Sequence, residues 1–555
     1  MKSGQPRPAG THVPEAWRIW GNPILLSCAR QRLRLRSALI WSGATFLVAA
    51  LVSAEVFLTL TERSLTAPEA AAGRTFQALF VLQAAILLWW GSGSVAGGLA
   101  EEREAGLLDY HRLTPMGPTA KILGYLFGLP AREYILVGTT LPFTVASVII
   151  GRIGLSSVLE LYVVLLTSAW LYHMTGLVVG MVASRPRRAS WATRLALLGL
   201  YIFLPQLGSL GLTFLGHLTV LPAFDGLATM ELGAREMGKP LLWHDAGFFA
   251  ARIPPFAYTL LVQGLLLVAL FSVVRRKWLD QGLHPFSKRG ALLFFPALLT
   301  LMVGSLWPFL TGDQQLRLWR HLQLPAEGQW LQTLYLFFAV AGAAAFILLA
   351  AITPTWQAYL RGLRRARRQG RARDRIPWGA DEAPGLVAAS AMLGMATAGY
   401  FLLLGLALPD EGLRWSPGAI THLGLLLLFA GLLLQIQTVC ALFGAKGLGV
   451  LAGLCWFLPA SIALILASAF GAFVPAGYLA AATPFAAFLY ALVCLFEPAL
   501  AEEPNLAPLL GHARGMLAFA LLLSLGLPLL GQAWLWRRRR EAKRRLAPPV
   551  APDSN

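Results

Sequence analysis

The sequence predicts an all-α polytopic membrane protein: about twelve transmembrane helices in two six-helix halves, with short interfacial and re-entrant helices. Three observations carry the prediction. Of 555 residues, 57% are hydrophobic and 13% charged, with mean hydropathy +0.62, about half the charge of an average soluble domain. Apolar runs of about 20 residues, long enough to cross a hydrocarbon core about 30 Å thick, recur along the chain. Lys and Arg outnumber Asp and Glu by 46 to 27, a net charge of +19, and in so apolar a chain that excess belongs to short loops that set orientation. A soluble enzyme, a disordered chain and a secreted disulfide scaffold are thereby excluded.

Residues 1–37 read as a cytoplasmic N-terminus. MKSGQPRPAGTHVPEAW has no apolar core before Trp17, so it does not read as a cleavable signal. Trp17, Trp20 and Ile24–Leu26, followed by Arg30–Arg36, suit a helix lying along the inner leaflet. Asn22 is its expected N-cap and Pro23 its first residue. The first half, 38–275, has expected spans near 38–60, 75–99, 134–151, 157–183, 195–217 and 256–274. A basic linker, 276–289, leads to the second half, 290–536, with spans near 290–311, 332–352, 386–408, 418–441, 448–469 and 515–536. Residues 537–555 form a basic tail.

One further apolar segment, 473–496, is broken by Pro475, Gly477 and Pro484. If it crossed fully, the tail Arg537–Arg540 would lie opposite Arg275–Lys277; the positive-inside rule therefore favours re-entry, with both termini cytoplasmic in a cell (inner) membrane. In this arrangement the basic loops all face inward and the outer loops are slightly acidic in sum. Each half has its longest inner loop (100–133, 353–385) after its second span. The repeat is one of layout, without a residue-level repeat. It suggests an intramolecular pseudo-dimer; one six-span unit with an unrelated membrane extension, or a homodimer of chains, are the alternatives.

The most specific stretch runs from Gly97 to Pro118: an acidic cluster, Glu101, Glu102, Glu104 and Asp109, with Leu107, Leu108 and Leu113. This suits a short helix with charge toward a partner, and Thr114-Pro115 is expected to end it and begin the next as N-cap and first residue. Four acids in a basic face depart from the local trend, and such departures mark function.

This stretch resembles the coupling-helix signature of type 2 ABC exporter permeases, over about residues 15–275. The matches are Glu102-Arg103-Glu104, Gly106, Leu108-Asp109, Leu113-Thr114-Pro115, Ile122 and Gly124, with Asn22-Pro23-Ile24-Leu25 and Arg30-Gln31-Arg32 as the lead-in. Leu107 and Tyr125 depart from the frequent Thr and Lys. The resemblance implies that the short inner helix docks on a separate cytoplasmic ABC ATPase subunit, working as a dimer, which binds the ATP and magnesium. It makes Glu102, Glu104, Gly106, Asp109, Thr114 and Pro115 the contact residues. The second half is similar only in layout: its loop, Thr353 to Arg375, is Arg-rich and lacks the acid, Gly, Leu, acid pattern. That run reads as a solvated or lipid-bound segment rather than a nucleic-acid patch.

Other signals carry less. Gly233–Pro240 nearly spells a phosphate loop, but Pro240 replaces the magnesium-binding hydroxyl and no strand precedes it. The four cysteines, Cys28, Cys440, Cys455 and Cys494, have no metal or disulfide spacing. His244-Asp245, Glu502-Glu503 and Asp381-Glu382 read as loop residues. No catalytic or metal constellation is expected. Within the spans, Glu55 and His173 are the candidate translocation-path residues, with Glu160 near an outer end and Gln83, Gln435 and Gln437 adding polarity; so few ionisable groups favour an external drive over an ion-coupled one. An ion-driven secondary transporter, a membrane scaffold and a lipid-acting enzyme are the competing readings.

Overall fold

The computed structural model describes residues 21–63, 67–183, 185–231, 246–280, 282–310, 326–369, 376–407, 418–495 and 507–545. Trp17, Trp20, Gly233–Pro240, His244-Asp245 and Glu502-Glu503 lie outside the described residues, as do Arg371, Arg373 and Arg375.

The chain divides into two compact units at residue 282, with 210–212 and 247–251 grouping with the second. Unit 1 contains α1 (Pro23–Arg32), α2 (Leu35–Glu62), α3 (Pro68–Glu104), α4 (Leu107–Leu113), α5 (Pro118–Gly128), α6 (Ala131–Ile150), α7 (Leu155–Val182), α8 (Pro186–Ser209), α9 (Thr213–Gly216), α10 (Leu221–Glu231) and α11 (Pro255–Leu279). A two-stranded hairpin, β1 (Ala246–Phe248) and β2 (Ala251–Ile253), precedes α11. Unit 2 contains α12 (Lys288–Leu310), α13 (Ala326–Ile352), α14 (Trp356–Arg368), α15 (Leu386–Ala407), α16 (Thr421–Gly444), α17 (Lys446–Phe470), α18 (Phe473–Ala481), α19 (Pro484–Leu495) and α20 (Ala507–Arg545).

Among the described residues eleven helices are long and apolar enough to cross a membrane: α2, α3, α6, α7, α11, α12, α13, α15, α16, α17 and α20. The fold is therefore that of an all-α polytopic membrane protein. The expected span at 195–217 is the exception. Its residues fall on α8, which starts at Pro186, bears Arg187, Arg188 and Arg194, and stops at Ser209 before the four-residue α9. The arginines precede the apolar window, and the helix end at Ser209 leaves about 15 of its residues on α8, short of span length. The broken segment 473–496 forms α18 and α19, bent by 114°. At 1.5 Å per residue they measure about 14 and 18 Å, so neither alone crosses a core of about 30 Å.

Within unit 1, Gln83 shows how polar groups are accommodated among apolar helices. Its Nε2 donates to Thr140 Oγ1 at 2.8 Å and Thr144 Oγ1 at 2.9 Å, while the Tyr162 hydroxyl donates to its Oε1. A buried amide left unpaired costs several kcal/mol in hydrocarbon, about the penalty this network removes. Unit 2 has an aromatic centre of Phe337, Phe338, Tyr400, Phe429 and Phe488, with Phe338 and Phe488 stacked at 5.3 Å. Lys288, buried at the start of α12, donates from Nζ to Ala380 O and Ala383 O, both at 2.5 Å, so carbonyls replace the water its ammonium gave up.

Candidate functional site

The acidic stretch folds as two helices at an angle set by one glycine. The last turn of α3 closes with Ala105 N–H donating to Glu101 O at 2.9 Å and Gly106 N–H to Arg103 O at 3.1 Å. Gly106 itself sits at φ 73°, the left-handed helix-ending conformation that a Cβ disfavours. The chain then turns into α4.

On α4 two faces separate. Leu108 is buried in a cluster with Ile24, Leu99, Ile122, Tyr125 and Trp278, a burial that stabilises the seat by about 1.5–3 kcal/mol. Leu107, Tyr110 and Leu113, spaced i, i+3, i+6 and so on one helical face, are exposed, Leu113 to 86%. Glu104 and Asp109 are exposed beside them. Asp109 pairs with Arg112 at 2.6 Å, an exposed i, i+3 contact that adds little stability.

The inner face is anchored on every side. Lys121, buried on α5, donates from Nζ to Thr114 O at 3.2 Å and Arg112 O at 3.4 Å, a cation on the carbonyl end of α4. Burial and the neighbouring Arg112 charge lower the Lys121 pKa. Tyr125 donates its hydroxyl to Glu102 Oε2, stacks on Trp278 at 5.6 Å and receives the His111 ring edge-on at 6.2 Å. The Arg112 guanidinium lies 5.8 Å over Trp278. The Cys28 thiol donates to Glu102 Oε1 at 3.7 Å. Burial and the Glu102 charge push that thiol up to about 12 and push the Tyr125 phenol upward too. Arg103 donates to Met181 O at 2.5 Å and to Ala183 O, closing the end of α7. Through these contacts α4 is held by α1, α3, α5 and α11.

The structure sorts the expected contact residues. Glu104, Gly106, Asp109 and Pro115 are exposed, whereas Glu102 turns inward and Thr114 is half-buried. The expected Thr114-Pro115 helix start is corrected: Thr114 closes α4, donating from Oγ1 to His111 O at 2.6 Å, and α5 begins at Gly117-Pro118. A second Pro three residues on, preceded by a Gly in extended conformation, supplies the better start. Asn22 caps α1 as expected, accepting from Ile24 N–H at 3.0 Å, and its Nδ2 donates to Ala120 O at 2.6 Å. The apolar side of α1 packs on α5, burying Ile24, Leu25 and Cys28. The approach is close: a methyl on Gly124 would lie 2.8 Å from Asn22 Oδ1 and 2.9 Å from Ile24 Cβ.

Glu55 and His173 do not form one site. Glu55 is exposed on α2 and accepts from Thr59 Oγ1 at 3.1 Å. His173 is fully buried, its Nε2 3.0 Å from Leu87 O, where a π-helical turn at 85–90 widens α3 and leaves carbonyls free to bond outside the helix. Sequence reasoning missed Glu133. At the start of α6 it is buried, accepting from Ser94 Oγ at 2.7 Å and pairing with Arg132 at 2.8 Å. An Arg-Glu pair ahead of an apolar run reads as a solvated flank, so nothing local signals its burial. Tyr125, Lys121 and Trp278 were missed likewise; the i, i+4 spacing of Lys121 and Tyr125 was the available signal.

Among the described residues no group of three His, Cys, Asp or Glu is placed to hold a metal. No family model, curated protein or solved structure matches the chain.

Proposed function

We propose that this chain is the membrane-spanning permease subunit of an ATP-driven transporter of the ABC class, an exporter, and that a separate cytoplasmic ATPase docks on α4. In this reading the termini are cytoplasmic, the chain sits in the cell's inner membrane, and ATP and magnesium are bound and hydrolysed by the partner rather than by this chain. The observation that carries it is the two-faced α4: an exposed Leu107, Tyr110 and Leu113 face beside Glu104 and Asp109, on a helix whose opposite side is fixed to four others.

A coupler must be rigid behind and adhesive in front. Aromatic and apolar anchors supply affinity, and flanking charges set register and partner choice. The Arg112 guanidinium over Trp278, beside the α5 ring of Tyr125 stacked on the same indole, gives α4 a direct mechanical route to α11. Glu102 is then a positioning residue and Glu104 and Asp109 the partner contacts. If the two halves act as a pseudo-dimer, one chain serves two ATPases, and a measured ratio of two chains to two ATPases contradicts that arrangement. The test of the reading is transport in vesicles, inhibited by vanadate and insensitive to a protonophore; the reverse pattern supports an ion-driven carrier instead.

A further inference from the structure

Unit 2 brings two basic runs, remote in sequence, onto one surface. Between Arg361 and Arg368 and between Arg537 and Arg545 the chain places twelve Arg and Lys against a single carboxylate, Glu541. In the structure Arg367 Nη2 donates to Lys543 O at 2.9 Å across 176 residues of sequence. Arg538 lies 4.7 Å over the Trp356 ring and Arg539 lies 5.6 Å over Tyr359. Helix α14 buries Tyr359, Gly362, Leu363 and Ala366 and leaves Arg361, Arg364 and Arg368 exposed. Glu382 on the adjoining loop neutralises one member, Arg365, at 2.7 Å.

A topology signal needs only cations beside a span, with no fixed arrangement. Convergence is a separate property. It sets like charges side by side at a Coulombic cost, which an anionic counterpart offsets. Three features identify that counterpart as phospholipid. Both runs follow directly from apolar helices that qualify as spans, α13 and α20. Trp534 and Trp536 are exposed among the cations, and Arg540 lies 3.6 Å over the Trp536 ring; tryptophan beside basic residues is the composition of the headgroup layer. Four of the guanidiniums, Arg367, Arg538, Arg539 and Arg540, are held by rings or by a helix-end carbonyl, so the surface presents fixed positive charge of the kind that attracts headgroup phosphate.

We infer that α14 and the end of α20 form a binding surface for anionic phospholipid headgroups of the adjoining leaflet. This holds whether or not α4 docks an ATPase. The experiment uses the full chain in phosphatidylcholine nanodiscs with and without phosphatidylglycerol. Lipid retained after exchange into detergent is read by native mass spectrometry. Wild type is expected to retain phosphatidylglycerol over phosphatidylcholine, less so as salt rises. R361Q/R364Q/R368Q is expected to lose retention about fivefold per charge, and R361K/R364K/R368K to keep most of it. Equal retention of the two lipids by wild type, or wild-type retention by the Gln variant, overturns the inference. So does saturable binding of heparin without any lipid preference, which reassigns the surface to a polyanionic macromolecule. If the Gln variant fails to insert, the salt dependence of wild-type retention decides alone.

Discussion

Helices α4 and α14 hold the same place in their units and present opposite chemistry. Each is a short helix directly after its unit's second spanning helix, α3 or α13, and each seats a buried leucine, Leu108 or Leu363, in the unit behind it. On the outside α4 shows Leu107, Tyr110 and Leu113 with Asp109, and Glu104 at the end of α3 beside them, whereas α14 shows a row of arginines. Topology decides that a short helix lies there; the exposed face decides what it meets. An apolar face rimmed by acids fits a basic-rimmed protein groove, and a cationic face fits lipid phosphate.

The comparison breaks first if α4's apolar face is dispensable. Removing it with Tyr110→Ala and Leu113→Ala is expected to weaken ATPase retention about thirtyfold per site, the effect of losing about 2 kcal/mol at an interface anchor. Quantitative pull-down from detergent extracts checks this. Glu104→Lys with Asp109→Lys is expected to cost about tenfold and to change the salt dependence, as charges at an interface rim do; unchanged co-purification removes both acids from the contact. Arg361→Gln and Arg364→Gln on α14 are expected to leave ATPase retention untouched, and a loss there would erase the distinction between the helices.

The brace behind α4 gives smaller effects. Tyr125→Phe deprives the Glu102 carboxylate of a buried donor, a loss of about 1–3 kcal/mol. Gly106→Val forces a β-branched residue into the left-handed region, about 1–2 kcal/mol. Both are expected to lower the melting temperature of the purified chain while lipid retention at α14 persists. Smallest is a pH effect from Cys28, whose thiol is raised from 9.0 to about 12 by burial and the Glu102 charge. Below pH 9 the thiol is protonated whether folded or unfolded. From pH 9 toward 12 the unfolded chain ionises first, so stability falls across that window. Cys28→Ala is expected to flatten that part of the melting-temperature profile.

Much of this fold was legible because a membrane imposes length and hydropathy together. The eleven helices of span length among the described residues follow from apolar runs, and the break at 473–496 follows from its prolines. The fifth expected span differs because a helix end at Ser209 falls inside its apolar window, dividing it between α8 and α9. The acidic stretch was visible through its contrast with a basic surrounding. Its internal assignment was not: Glu102 and Glu104 are two residues apart and look alike, yet on a helix of 3.6 residues per turn they point in different directions. Tyr125, which turns Glu102 inward, is remote in sequence, as is Glu133's partner Ser94. The meeting of Arg367 with the end of α20 is a tertiary fact with no local trace.

The proposed docking of an ATPase on α4 is tested most directly by vanadate-sensitive ATP hydrolysis that co-purifies with the full chain. Such activity is expected per mole of wild-type chain. It should fall at least tenfold in Tyr110→Ala/Leu113→Ala and stay at the wild-type level in Arg361→Gln/Arg364→Gln. Equal activity in the two variants, or none with wild type, contradicts the account.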